Sequence, residues 1–237
     1  MIFLDRIADA IHRNSRDPEE LHRRAQMYDE AVDFKKAAVW HRRAARLGDA
    51  RSQYRLGHMY ALGQGVRENW DRAIKWLTKA AEQGHAEAQL SLGIQYFLSS
   101  RNDRDRDLAF KWLRRAYDAG IGDAACPLGQ CYIRGCGTPR DTDRGIRILE
   151  RAADNPPELT EFPEDVYEAA LILARLYDEG QYVEADEAKA AEWYRRAADA
   201  GCDEAETRLR EIEEHRGRMR TESADDADRY VPRDHDI

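Results

Sequence analysis

Apolar residues recur at helical spacing in two successive stretches of the segment at residues 50–83. The first stretch covers positions 54–60 and the second covers positions 73–81. Spacings of three and four residues place such side chains on one face of an α-helix. The pattern therefore predicts two amphipathic helices that form a hairpin, joined by the glycine-containing turn at 63–66.

The hairpin pattern returns every 36 residues along the chain. Three tryptophans keep this interval, and so do two rows of three glycines. These residues are Trp40, Trp76 and Trp112, then Gly48, Gly84 and Gly120, then Gly57, Gly93 and Gly129. A period of 20–50 residues is typical of a stacked array, in which each unit buries its apolar face against the next.

Gly57 and Gly93 lie inside the predicted first helices, where glycine costs about 1 kcal/mol relative to alanine. A cost of this kind is explained if the second helix approaches closely at that point. We expect Ala73 and Ala109 to face these glycines, with the tryptophans covering the neighbouring gap.

Composition and charge exclude several classes of function. The chain has 237 residues, 42% hydrophobic and 35% charged, and a formal net charge of −8. An acidic surface does not attract nucleic acid or anionic lipid, so neither is an expected partner. No stretch approaches the roughly 18–20 apolar residues of a membrane helix. We therefore expect one elongated cytoplasmic protein without a membrane span.

No candidate catalytic, cofactor or metal site stands out. The four cysteines lack the pairing of a disulfide framework, and Cys126, Cys131 and Cys136 lack the spacing of zinc ligands. The seven histidines show no paired helical spacing, and the glycine pairs lack the continuation of a phosphate-binding loop. We expect a protein that is not an enzyme and that binds no metal or cofactor.

The residues at 50–57, 63–66 and 73–84 resemble the pattern of a known family almost position for position. That family is the Sel-one-like repeat (SLR) family of the tetratricopeptide-repeat (TPR-like) superfamily. The resemblance returns at 86–120, 123–153 and 169–201, and so covers about three-quarters of the chain. It implies an all-α fold, a right-handed α-α superhelix of about five helical hairpins with terminal capping helices.

The domain boundaries follow from this reading. We predict an N-terminal capping helix at 1–16, a repeat solenoid at 17–215, and a disordered tail at 216–237. A proline-rich surface loop is expected near 155–163. The repeats are placed at about 17–48, 49–84, 85–120, 121–155 and 164–201, followed by a cap at 202–215.

The resemblance also implies that the first helix of each hairpin lines a concave groove, which is the candidate partner-binding site. The central groove positions are mostly apolar, whereas Gln26, Asp29 and Glu30 at one end and Glu179 at the other are polar. The predicted partner-binding residues are Tyr54, His58, Leu62, Leu90, Ile94, Phe97, Leu98, Gln130, Ile133, Arg134, Arg175 and Asp178.

The function predicted from this groove is that of a non-enzymatic adaptor or scaffold. Its partner is a protein or peptide with apolar anchors and basic flanks. One alternative is a structural protein that associates with itself through the same surface. Another is a hydrolase of the penicillin-binding or β-lactamase-like SLR type, although those proteins resemble secreted, cysteine-paired chains. The alternative for Leu90, Ile94 and Phe97 is that they pack against neighbouring hairpins as ordinary core residues.

Overall fold

The structure is a computed structural model, and it describes residues 15–99, 102–154 and 163–229. Within these ranges the chain forms eleven α-helices, one short 3-10 helix at Gly122–Ala124, and no strand. The helices are α1 Pro18–Glu30, α2 Phe34–Arg46, α3 Ala50–Leu62, α4 Trp70–Glu82, α5 Ala86–Ser99, α6 Asp103–Asp118, α7 Ala125–Arg134, α8 Thr142–Ala153, α9 Pro163–Glu179, α10 Glu187–Asp199 and α11 Asp203–Arg229.

The helices pair in chain order, so α1 packs on α2, α3 on α4, α5 on α6 and α9 on α10. The second helix of every hairpin starts with an aspartate or asparagine whose side chain accepts a hydrogen bond from a backbone N–H three residues later. These N-caps are Asp33, Asn69, Asn102, Asp141 and Asp186. Each cap satisfies a helix-end donor that would otherwise lack a partner.

The turn of the second hairpin depends on Gly65. Its backbone has φ of +67°, and a Cβ added there would lie 2.0 Å from the carbonyl oxygen of Phe34. The turn therefore lies directly on the first turn of α2, where only glycine fits. Gly137 repeats this arrangement against the carbonyl oxygen of Arg106, at 2.2 Å.

A glycine notch in each of the first helices α3, α5 and α7 accepts a leucine from the second helix of the same hairpin. A Cβ added to Gly57 would lie 2.7 Å from Cγ of Leu77, and one added to Gly129 would lie 2.8 Å from Cγ of Leu149. Gly93 has the same relation to Leu113, at 2.7 Å from Cδ2. We call this contact the glycine–leucine notch.

The side chain nearest to each of these glycines is a leucine, and not the alanine that the sequence suggests. Ala73 and Ala109 are fully buried, but the side chain that fills the notch comes from the leucine four residues later on the same helix. Both positions lie on the buried face of the helix, because residues four apart are neighbours on its surface. The tryptophans do pack inside, since Trp40 and Trp112 are buried and Trp76 is half-buried.

The chain divides into two compact units. The first comprises Met1–Leu128 and Cys136–Pro139, and the second comprises Gly129–Gly135 and Arg140–Ile237. The core of the first unit joins Leu21, Tyr28 and Trp40 of the first hairpin with Met59 of α3. In the second unit α8 and α10 both pack on α9, and α11 packs on α10.

The last helix, α11, extends beyond the cap predicted at 202–215 and into the segment for which the sequence predicts disorder. Residues 216–229 contain arginine, glutamate, methionine and alanine, which favour helix. Arg210 stands where earlier first helices carry the notch glycine, nine residues after the preceding inter-hairpin glycine. A long side chain at this position cannot receive a leucine in the manner of α3.

Two predictions lie outside the described residues. One is the N-terminal capping helix at 1–16, of which only Ser15 and Arg16 are described, and the other is the loop near 155–163.

We expect Gly93→Ala to lower the free energy of unfolding by about 1–3 kcal/mol, because the added Cβ would overpack the notch against Leu113. Thermal or urea unfolding followed by circular dichroism measures this. Gly217→Ala is the control, since Gly217 lies in α11 with no atom within 4 Å of its added Cβ. The control should be neutral or slightly stabilising, and an equal loss in both variants would contradict the notch.

Candidate functional site

The first unit contains a pocket of about 610 Å³. Most of its wall comes from the first helices α1 and α3 and from the residues that begin α5. We call it the polar pocket, and its lining residues are His22, Gln26, Asp29, Glu30, His41, Arg51, Tyr54, Arg55, His85 and Glu87. The volume is in the range of small-molecule and peptide side-chain sites.

A buried hydrogen-bonded chain forms the floor of the polar pocket. Nδ1 of His22 lies 2.8 Å from Oγ of Ser52, and Nδ1 of His41 lies 3.1 Å from the same oxygen. Nε2 of His41 lies 2.9 Å from Oδ2 of Asp29. His41 and Ser52 are fully buried. Four side chains on α1, α2 and α3 are thereby tied into one network.

The proton positions in this chain follow from its donors and acceptors. A carboxylate only accepts, so His41 donates its Nε2–H to Asp29. With one proton on each imidazole, Nδ1 of His41 then accepts the hydroxyl proton of Ser52. Oγ of Ser52 in turn accepts Nδ1–H from His22. Every member of the chain is satisfied, as a buried polar network requires.

The Asp29 carboxylate is also held by Arg55. The guanidinium donates from Nε at 2.8 Å and from Nη2 at 3.2 Å, which is a bidentate pairing. Burial alone would raise the pKa of Asp29, but the hydrogen bonds from His41 and Arg55 outweigh it and lower the pKa to about 2. Asp29 is therefore ionised and fully engaged at neutral pH.

Ser52, His41 and Asp29 have the composition of a hydrolytic triad, but their arrangement does not favour one. Ser52 has no exposed surface, and its hydroxyl is already shared between two imidazoles. A nucleophilic serine needs an approach path for the substrate carbonyl. The network is better explained as a structural floor that orients the groups above it.

Three aromatic rings form a second cluster beside the pocket. The ring of Tyr54 stacks on His85 at 4.5 Å between centroids and meets the edge of His58 at 4.6 Å. Nε2 of His58 lies 3.2 Å from Oγ of Ser91, which joins α3 to α5. Burial lowers the pKa of both His58 and His85 below the usual value, so both rings are neutral near pH 7.

Apolar groove residues continue from this cluster along α3 and α5. Tyr54, His58 and Leu62 follow each other at intervals of four on α3, and so share one face. Leu62 is 63% exposed and Leu98, at the same repeat position on α5, is 77% exposed. Leu90, Ile94 and Phe97 are half-buried. We call Leu62, Leu90, Ile94 and Leu98 the apolar strip.

The predicted groove residues of the second unit are placed differently. Ile133 is 3% exposed, and its Cγ1 lies 2.6 Å from the position of a Cβ on Gly145, so it is a core residue and cannot contact a partner. Gln130 is half-buried, and Arg134 is exposed. Arg175 and Asp178 are engaged by α11, as described next.

Helix α11 neutralises the charged end of the second unit. Arg208 donates to Asp178 from Nε at 2.9 Å and from Nη2 at 3.1 Å, and Arg175 is hydrogen-bonded to Glu204. The hydrogen bond from Arg208 lowers the pKa of Asp178. Asp29 and Asp178 are thus each paired with an arginine, namely Arg55 of α3 and Arg208 of α11.

Comparison with known proteins identifies the repeat. A profile of the Sel1 repeat matches residues 25–49, 50–85, 86–121, 122–156 and 168–202, which together make up more than half of the chain. The chain belongs to the Sel1 repeat family. Sel1 and other TPR-like repeat proteins typically act as scaffolds for protein interactions. No match is found among the curated proteins.

Solved structures confirm the all-α helical-repeat fold of a Sel1 repeat protein. A Sel1 repeat protein from Oxalobacter formigenes is 28% identical with a TM-score of 0.64, over 80% of this chain and 76% of that one. The SLR protein c5321, a protective antigen of uropathogenic Escherichia coli, is 29% identical with a TM-score of 0.67, over 84% of this chain. This chain spans 42% of c5321.

A third structure shares the fold alone. The TPR protein YrrB is 20% identical with a TM-score of 0.56, over 83% of this chain and 92% of that one.

Sequence reasoning missed the buried network because it lies where the first two Sel1 repeats depart from the others. His41 stands 36 residues before Leu77, in the place of the notch leucine, and Ser52 stands 36 residues before the buried Ala88. A polar residue at a position that is apolar in every other copy is the signal that could have revealed it. The predicted residues that the structure brings to the polar pocket are Tyr54 and the groove-end residues Gln26, Asp29 and Glu30.

The described part of this Sel1 repeat protein shows neither a metal-binding cluster nor a membrane-spanning helix. Among the described residues, no three His, Cys, Asp or Glu side chains converge in a way that could hold a metal ion. None of the helices in the described ranges combines the length and the hydrophobicity needed to cross a membrane.

We expect Ser52→Ala to lower the free energy of unfolding by about 1–3 kcal/mol, because it leaves Nδ1 of both His22 and His41 buried without this partner. The double variant Ser52→Ala with His41→Leu restores the residue types of the other Sel1 repeats and should recover part of the loss. Chemical denaturation measures both. A single variant as stable as the wild type would contradict the network.

Stability should fall as the pH is lowered from about 7.5 to 5.5. Burial lowers the pKa of His22, His58 and His85 below the ordinary histidine value of about 6.5, so the unfolded chain binds more protons than the folded chain in this window. Asp29, with a pKa of about 2, does not titrate there. Thermal melts across this range measure the slope, and His58→Gln should reduce it. Rising stability on acidification would contradict the neutral, buried imidazoles.

Proposed function

We propose that this Sel1 repeat protein is a non-enzymatic adaptor that binds a peptide segment of another protein on the first helices of its first unit. The proposed contact surface consists of the apolar strip, with Tyr54, His58 and Phe97 beside it. The observation that carries the proposal is the exposure of Leu62 and Leu98, which stand at equivalent positions of neighbouring repeats.

Exposed leucines on adjacent hairpins are unusual for a surface that serves no partner. Burying a leucine side chain contributes about 1.5–3 kcal/mol, so two such residues supply useful anchors. Single exposed apolar residues are common on protein surfaces, but a row at a fixed repeat position presents a continuous contact. Peptide recognition by an apolar groove uses apolar side chains as anchors.

The helical scaffold beneath the strip suits this role. Leu92 of α5 and Leu113 of α6 are fully buried, and a glycine–leucine notch packs the two helices tightly together in each of the hairpins α3–α4 and α5–α6. A rigid surface binds without first ordering itself, which reduces the entropic cost of association. A peptide-binding site is named for YrrB, a protein of the same fold, and we extend peptide binding to this chain only as part of the proposal.

We expect peptides selected from a displayed random library against the purified protein to carry apolar anchors. Leu98→Arg should weaken their binding at least tenfold, since it places a charge in the strip, and leave the circular dichroism spectrum unchanged because Leu98 is exposed. Val39→Arg is the matched control, because Val39 is 52% exposed on a second helix. Fluorescence polarisation measures the affinities.

Two outcomes would contradict the adaptor function. Either no peptide is enriched, or Leu98→Arg and Val39→Arg bind the selected peptides equally well. Light scattering tests the self-association alternative. If the wild type is a dimer and the Leu98→Arg variant is a monomer, the apolar strip binds a second copy of the chain and that alternative holds instead.

A further inference from the structure

The charges around the polar pocket do not balance. Arg55 is paired with Asp29, and Arg51 lies 3.3 Å from Asp49. Each guanidinium is thus matched by its own carboxylate. Glu30 and Glu87 remain, and both line the pocket.

Neither remaining glutamate is neutralised by a cation among the described residues. Glu30 forms no ion pair or side-chain hydrogen bond there. Oε2 of Glu87 lies 3.1 Å from Nδ1 of His85, but the two atoms do not have hydrogen-bond geometry, and Nδ1 is buried without a partner. Burial lowers the pKa of His85, which leaves the imidazole neutral near pH 7. The pocket therefore has an excess of two negative charges.

The wall of the pocket also suits a cation. Tyr54 lines the pocket with one ring face stacked on His85, at an interplanar angle of 23°. Its hydroxyl oxygen can accept a hydrogen bond from an ammonium or guanidinium group. An anion would instead meet two unpaired carboxylates, and both arginines of the wall are already engaged.

We propose that the polar pocket receives a lysine or arginine side chain of the bound peptide, whose apolar anchor lies on Leu62 and Leu98. The inference rests on the proposed function and specifies its partner. Glu30 and Glu87 bind the cation, Tyr54 contacts it, and the buried chain below fixes α1 against α3. This restricts the basic flank to one end of the strip.

The geometry of α3 sets the spacing between the two groups. Tyr54 and Leu62 are eight residues apart on one face, which is about 12 Å along the helix at 1.5 Å per residue. An extended peptide advances about 3.3–3.6 Å per residue. The basic residue should therefore stand three or four positions from the leucine anchor.

Synthetic peptides test the inference, with their affinities measured by fluorescence polarisation. Each peptide carries a pair of leucines and one lysine, glutamine or glutamate, placed two to six positions from the leucines. The wild type should prefer lysine over glutamine by roughly tenfold at a separation of three or four. The variant Glu30→Gln with Glu87→Gln should bind the lysine and glutamine peptides within about twofold of each other. Its control, Glu68→Gln with Glu82→Gln, removes the same charge from exposed positions outside the pocket and should keep the preference.

The outcomes separate this inference from the proposed function. If leucine peptides bind and Leu98→Arg weakens them, but lysine gives no advantage or the pocket variant retains it, the adaptor stands and the cation pocket is wrong. If glutamate is preferred over lysine, the pocket binds anions and the inference is overturned. If no peptide of the series binds, both proposals are wrong.

Discussion

The structure depends on one contact, the insertion of a leucine into a glycine notch. Gly57, Gly93 and Gly129 each lack the Cβ that would otherwise meet a leucine twenty residues later. Because glycine has no side chain, the backbones of the two helices come close together, and the leucine fills the space that remains between them. Because overpacking a core is destabilising, the notch admits one arrangement of the hairpin and makes it rigid. The exposed faces of the first helices are then free to serve another purpose.

The first repeat replaces this apolar contact with a polar one. His41 occupies the place of the leucine, Ser52 occupies the place of a buried alanine, and the two are joined to Asp29 and His22. Such a network is stable only when all members are satisfied. It also positions Asp29, His22 and His41, which line the polar pocket, so the departure from the repeat coincides with the site that we propose.

Much of the fold could be predicted from the sequence, because the period of 36 fixes which residues are equivalent. The hairpins and the burial of Trp40 and Trp112 follow from that period, and the family follows from the resemblance of the residues within each repeat. It does not tell which of two buried residues one turn apart fills the notch, so Ala73 was chosen over Leu77. The period also does not predict which charged side chains of neighbouring hairpins form ion pairs. The pairing of Asp29 with Arg55 therefore cannot be derived from it. The period places Leu98 on the exposed face of its helix, but it does not predict the burial of Ile133, which depends on Gly145 in the facing helix.

The central claim is that the exposed leucines bind a partner while the notch leucines only maintain the scaffold. Methyl spectra of the protein labelled with ¹³C at leucine, recorded during titration with a bound leucine–lysine peptide, test it most directly. The account predicts shifts at Leu62 and Leu98 and little change at Leu77 and Leu113, which are buried in their notches. The account is contradicted if only the methyl signals of the buried leucines shift, or if the methyl signals of Leu62 and Leu98 stay unchanged.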